Sequence, residues 1–195
     1  MYDVSEIKLK LKDILEPVVS HELEIMKQPN IKYAHIYCKI NKLTGQQYGA
    51  LIEKYVQVKY GMTKNKTSSC TGDLQCNQKN IELKVSLGGK YHNKFNYVQL
   101  RMNHSCEYIL TAYYINIDNI TCDGELFIFK LTKKDIKHII YRYGGYAHGT
   151  KKRLGLITEA DLENETNDKE YVIRPKYGDK CWLDLLNYRI DEISI

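Results

Sequence analysis

Apolar positions recur along this chain at two different spacings, and the places where one gives way to the other mark out its elements. Between Ser5 and Met26, the residues Ile7, Leu11, Ile14, Leu15, Val18 and Val19 recur at roughly helical spacing. Pro17 either kinks this helix or begins a second one. A cleaner helix is predicted after Leu43. There Thr44 and Gln47 fit a capping box, and Tyr48, Leu51, Ile52 and Tyr55 form one apolar stripe. The period then shortens. Ile81-Glu82-Leu83-Lys84-Val85-Ser86-Leu87 alternates apolar and polar without a fault, the pattern of a half-buried strand.

After a loop holding Gly88 and Gly89, a short helix is expected over Tyr97 to His104. Strands are expected over Tyr108 to Ile117 and Glu125 to Leu131. Thr132 and Asp135 cap a further helix with the stripe Ile136, Ile139, Ile140 and Tyr143, which Gly144-Gly145 ends. An acidic stretch from Glu159 to Glu170 precedes one or two last strands. This order predicts a mixed α/β fold, with a central mixed sheet flanked by helices.

Composition narrows the class without naming an activity. The 195 residues suit one domain spanning 1–195, and 43% hydrophobic with 27% charged residues is the balance of a soluble globular protein. No run approaches the ~20 apolar residues that cross a bilayer. Met1 to Glu6 carries acids where a signal peptide carries bases, so a cytoplasmic protein with no membrane partner is expected. The six cysteines show no zinc-knuckle spacing and are expected to be reduced. A net charge of +5 is compatible with neutralising nucleic-acid phosphates, and equally with an enzyme of small metabolites.

The alternating strand carries the most informative chemistry. Glu82, Lys84 and Ser86 share one face of it, while Ile81, Leu83, Val85 and Leu87 share the other. Asp73-Leu74-Gln75-Cys76 precedes it across the polar Asn77-Gln78-Lys79-Asn80, which suits a four-residue hairpin loop. Pairing Cys76 with Ile81 sets Asp73 opposite Lys84 and diagonal to Glu82, so that all three converge on one face. Carboxylates that hold magnesium beside a lysine are what phosphodiester hydrolysis needs: an activated water and neutralisation of developing charge. Two other acid-x-Lys triplets compete. Glu6-Ile7-Lys8 lies in the N-terminal helical segment with no suitable upstream acid, and Asp135-Ile136-Lys137 follows Asp123 but already has a helix to cap. The bland alternative for the hairpin is a solvated face whose ion pairs stabilise little.

Gly72-Asp73 followed by Ile81-Glu82-Leu83-Lys84-Val85 resembles the active-site signature of the PD-(D/E)XK nuclease superfamily, and more narrowly that of type II restriction endonucleases. The helix before the hairpin, the one expected after it and the return strand match that family's core order over roughly residues 44–117. The resemblance implies a restriction-endonuclease-like core in which Asp73 and Glu82 bind one or two magnesium ions and Lys84 serves the attacking water. It also points to Glu53 as an added acid from the preceding helix, and to Gln99 close to the scissile phosphate. Gly72 stands where the pattern's name has proline.

Basic and small residues flank this candidate cleft. Lys90, His92, Asn93 and Lys94 follow the strand, Arg101 lies on the next element, and His148, Lys151, Lys152 and Arg153 follow the Gly144-Gly145 helix end. Such residues contact phosphates and base edges, and they mark 88–96 and 144–195 as recognition or dimerisation segments. His92, His104 and His148 are scattered along the chain rather than spaced as a ligand set, which argues against a zinc or other histidine-metal nuclease. The sequence therefore leads to the expectation of a magnesium-dependent, site-specific endodeoxyribonuclease. It would cut double-stranded DNA as a homodimer and have a cognate DNA methyltransferase. The alternatives are a repair or recombination nuclease of the same fold and a non-catalytic DNA-binding protein.

Overall fold

A computed structural model of the chain describes residues 45–65, 71–89, 94–115, 125–147, 155–166 and 168–190. The helices expected within 5–26, the cap residue Thr44, and Cys38, Cys70 and Cys122 lie outside the described residues. So do the recognition candidates Lys90, His92, Asn93, His148, Lys151, Lys152 and Arg153.

The architecture is mixed α/β, as the order of elements predicts. Helix α1 (Gly45–Lys59) leads into strands β1 (Thr63–Lys64), β2 (Leu74–Cys76) and β3 (Lys79–Gly89). Strand β4 (Tyr97–Arg101) then precedes β5 (Glu107–Ile115) and β6 (Glu125–Leu131). After helix α2 (Lys133–Tyr143) come β7 (Gly145–Tyr146), α3 (Glu159–Glu163), β8 (Glu170–Ile173) and α4 (Lys180–Leu186). A five-stranded sheet has the order β1-β2-β3-β5-β6, and a three-stranded sheet has the order β4-β8-β7. Within the larger sheet only β3 and β5 run parallel, with Glu82 beside Tyr108 and Lys84 beside Leu110.

The two faces of the larger sheet bury different cores. On one face Ile81, Leu83 and Leu87 of β3 join Ile109, Tyr113 and Ile128, and Ile52 and Val56 of α1 close over them. Ile52 belongs to the expected stripe of α1, and Tyr55 packs at its margin. The opposite face of β5 and β6 supplies Tyr108, Leu110, Ala112, Phe127, Phe129 and Leu131. Those side chains meet Tyr97 and Leu100 of β4, Tyr171 and Ile173 of β8, and the apolar sides of α2, α3 and α4. Alternation along β3 turns Glu82, Lys84 and Ser86 toward this second layer, where they replace apolar residues at its edge.

The sequence placed α2 well. Thr132 and Asp135 form a reciprocal capping box, Ile136, Ile139 and Ile140 are buried, and the Gly144 amide closes the last turn on the Ile140 carbonyl. The final segment holds more helix than expected. Thr158 and Asp161 cap α3 inside the acidic stretch, and Asp179 caps α4 by accepting from the Trp182 amide.

The helix expected over Tyr97 to His104 is instead strand β4. The error has a clear physical cause. Phe95 and Tyr97 point inward at strand spacing, as do Leu100 and Met102, but an irregularity between Tyr97 and Leu100 inserts one extra residue. Gln99 there has φ 57°. A bulge of this kind keeps residues three apart on one face, and so imitates helical spacing.

Trp182 anchors the second core against Phe95, Phe127 and Phe129, meeting the Phe129 ring edge-on at 5.4 Å between centroids. No helix among the described residues is long and apolar enough to cross a membrane. Phe129→Ala is expected to cost about 3–5 kcal/mol, the range for removing a buried aromatic ring. Denaturant unfolding followed by the fluorescence of Trp182, the chain's single tryptophan, measures this directly.

Candidate active site on the β2–β3 hairpin

The hairpin is tighter than the sequence suggested. Its pairs are Leu74 with Ile81, Gln75 with Asn80 and Cys76 with Lys79, which leaves a two-residue turn rather than a four-residue loop. Asn77 and Gln78 both adopt positive φ, 47° and 63°. That is the mirror-image turn whose twist matches a strand pair. The expected pairing of Cys76 with Ile81, and with it of Asp73 with Lys84, is therefore replaced. Continued by one residue, the observed register sets Asp73 opposite Glu82. Because the two registers differ by two residues, every side chain keeps its face.

Main-chain pairing ends at Leu74, and the Asp73 side chain carries it one step further. Its Oδ2 accepts a hydrogen bond from the Leu83 amide at 2.9 Å. Gly72, just before it, has φ 80°, and a Cβ built there would lie 2.6 Å from the Ile81 carbonyl oxygen and 2.9 Å from the Glu82 nitrogen. No side chain fits, and proline, fixed near φ −65°, cannot take this conformation. Glycine at position 72 thus has a local backbone reason. Asn65 fixes the same loop. Its amide donates to the Asp73 carbonyl at 2.9 Å, and its side-chain Nδ2 donates to the carbonyls of Thr71, Gly72 and Leu74.

Three of the expected site residues come together. Glu82 is buried, and its Oε1 accepts from Lys84 Nζ at 2.5 Å. Burial raises the pKa of Asp73 above the ordinary carboxylate value, and the charge of Glu82 adds to the rise. The Leu83 amide and Lys84 oppose it, and Glu53 contributes a further small rise. Two acids and a lysine therefore share one half-buried electrostatic environment, which a solvated hairpin face does not provide. Glu53 lies within reach of that environment but pairs with Lys64 at 2.9 Å. That hydrogen bond, chiefly, raises the pKa of Lys64.

The remaining expected residues stand apart in different ways. Gln99 is exposed on the bulge of β4, so the helical argument for setting it beside a scissile phosphate falls away. Arg101 is tied to Glu170 across β4 and β8. Lys94 is exposed and bridges to Lys176. The competing triplet is occupied elsewhere, since Asp135 serves the cap of α2 and Lys137 pairs with Glu163 at 2.7 Å.

Three neighbours complete this surrounding: Ser86, which the sequence set on the same face, His104, which it set aside, and Cys106, which it passed over. Ser86 is buried, and its Oγ accepts from the Asn96 amide at 3.0 Å, joining β3 to the segment that leads into β4. His104 and Cys106 lie just before β5, and their ligand atoms lie within 4.8 Å of each other and of a Glu82 oxygen. Burial lowers the pKa of His104, with Arg101 and Lys84 adding to the effect and Glu82 opposing it. Burial also pushes the Cys106 thiol up to about 11. The signal available for these two was their position two residues apart at the head of a strand that pairs with β3.

No protein-family model matches the chain, and a search of curated proteins likewise finds no match.

Two stability measurements probe this geometry. Gly72→Ala is expected to lower stability by at least about 1–2 kcal/mol for the left-handed backbone alone. Contact with the Ile81 carbonyl adds to that, and the melting temperature falls by roughly 4 °C or more. Asp73→Asn is expected to act in the opposite direction. A carboxyl whose folded pKa is raised stabilises the fold only in its protonated form, and that contribution is lost as pH rises through the folded value. At neutral pH the ionised Asp73 therefore strains the metal-free protein. Asparagine removes the charge and keeps an oxygen for the Leu83 amide, so the melting temperature is expected to rise at pH 7. The gain shrinks as the pH falls toward the ordinary aspartate value of 3.8.

Proposed function

We propose that this chain is a magnesium-dependent endodeoxyribonuclease with a PD-(D/E)XK-type site formed by Asp73, Glu82 and Lys84. One observation carries the reading: two acids and a lysine share a half-buried face of one hairpin, and the charge of Glu82 opposes ionisation of Asp73. Such a pair is costly for folding unless a cation joins it, and carboxylate oxygens are the donors that magnesium prefers. The donor set therefore fits the ion. Held by Asp73 and Glu82, one or two magnesium ions would supply charge neutralisation at the phosphate and a more acidic water.

The remaining chemistry belongs to the chain. The Leu83 amide orients the Asp73 carboxylate and keeps one of its oxygens in place. Lys84, relieved of part of its pairing with Glu82, is left to orient the attacking water or to neutralise charge on the phosphorane-like transition state. Glu53 can support the site through the charge it already exerts on Asp73. No covalent enzyme intermediate is needed.

The finer reading is a site-specific type II restriction enzyme. A single hydrolytic centre per chain argues for a homodimer that cuts both strands of duplex DNA, and such a system implies a cognate methyltransferase. Arg101 and Lys94, with the basic residues outside the described segments, are the proposed contacts to phosphates and bases. The topology supports a core of the family's kind through the hairpin and the parallel β3–β5 pair. It departs from that core in having strand β4 where a helix was expected.

Digestion of methylation-free plasmid with and without magnesium tests the proposal. Discrete magnesium-dependent fragments are expected, and Lys84→Ala should slow their appearance by roughly 10²–10³-fold, the typical loss on removing one preorganised stabiliser. A wild-type protein that shifts DNA on a gel but never cuts it at any magnesium concentration overturns the catalytic reading in favour of a binding module. Cleavage confined to branched or damaged DNA would replace restriction by repair.

A further inference from the structure

Glu82, His104 and Cys106 form a group that the nuclease reading leaves unused. One ligand atom from each residue, a carboxylate oxygen, an imidazole nitrogen and a thiol sulfur, lies within 4.8 Å of the other two. Around a tetrahedral zinc ion such atoms sit roughly 3.5 Å apart, as bond lengths of about 2.0–2.3 Å require. Small rotations of the side chains close that difference.

The backbone is already arranged for it. Parallel pairing of β3 with β5 sets Ile81 beside Glu107 and Glu82 beside Tyr108, which brings the residues just before β5 against the Glu82 side chain. Ser105, between the two proposed ligands, has its carbonyl held by Asn80 Nδ2 at 3.3 Å. Glu107, just beyond them, pairs with Lys79 at 2.8 Å. Glu82 and Cys106 are buried while His104 is partly exposed, so the group opens to solvent on the histidine side.

We propose that Glu82, His104 and Cys106 bind a borderline-soft divalent ion of the zinc type, at a site that shares Glu82 with the magnesium centre. Thiolate and imidazole select zinc or cobalt over magnesium, and three protein ligands leave a fourth position open. Ligation needs the thiolate, so binding releases the Cys106 proton to solvent. An ion there draws Glu82 away from both Lys84 and magnesium, so zinc inhibits magnesium-dependent cleavage. The binding site stands on its own geometry, whereas its inhibitory effect rests on the proposed nuclease activity.

Cobalt titration of the full chain without magnesium, read by optical absorption, tests the site. A thiolate-to-cobalt charge-transfer band is expected, reversed by added zinc, absent in Cys106→Ser and weakened roughly tenfold or more in His104→Ala. His104 is partly exposed, so its variant keeps the test valid if Cys106→Ser fails to fold, which Trp182 fluorescence reports. A band that persists unchanged in either folded variant, or no band in the wild type, overturns the proposal. In the second arm, zinc inhibition of plasmid cleavage should weaken roughly tenfold in His104→Ala, measured against that variant's own rate. A cobalt band without any cleavage sinks the nuclease reading and leaves the metal site; cleavage without the band does the reverse.

Discussion

Gly72 lies against the peptide joining Ile81 to Glu82 at a separation that leaves no room for a β-carbon. Everything proposed for the site depends on that contact. It lets the chain arrive at β2 tightly enough for the Asp73 carboxylate, rather than a main-chain carbonyl, to take the Leu83 amide. That hydrogen bond opposes the turning of Asp73 toward solvent that repulsion by Glu82 favours. Asn65 secures the same turn from outside, so two separate restraints hold one charged side chain in an unfavourable place. Backbone packing thus supplies the energy that keeps the two carboxylates together.

Beside this hairpin the sheet is asymmetric in its chemistry. The α1 side of β3 is an ordinary apolar core. The other side begins with Glu82, Lys84 and Ser86 and becomes aromatic only across β5 and β6. A charged strip at the border of a large core is costly to bury and is exposed only in part. Lys84 offsets some of that cost by pairing with Glu82, and Ser86 offsets some by taking the Asn96 amide. The polar strip is also where two layers meet, so side chains from distant segments, His104 and Cys106 among them, reach it.

Most of this was legible where local rules agree with the fold. The alternation of residues 81–87, the capped helix after Thr132 and the two strands around residue 110 and residue 128 each had one consistent local reading. Hairpin register was not legible. Four polar residues, Asn77 to Asn80, are compatible with several loop lengths, and only the left-handed backbone at Asn77 and Gln78 selects the shortest. Strand β4 was hidden by its bulge, since an extra residue turns a period of two into an apparent period of three. His104 was set aside and Cys106 passed over because the parallel pairing that brings them to Glu82 spans more than twenty positions of sequence. The face shared by Asp73, Glu82 and Lys84 survived the wrong register because a shift of two residues preserves it.

The smaller sheet has a kinetic meaning. Strand β8 lies between β4 and β7, so residues 97–101 find their partner only at residues 170–173. During synthesis, at about 5–20 residues per second, β4 waits several seconds with an unpaired edge while the hairpin and the parallel pair can already form. Long-range pairings of this kind slow folding and leave apolar strand edges open to other chains. Phe95, Tyr97, Leu100 and Met102, all fully buried once β8 has docked, form the stretch exposed during that interval. The same bulge that disguises β4 in the sequence also twists its edge, which makes pairing with another copy of the strand less favourable while its own partner is still being made.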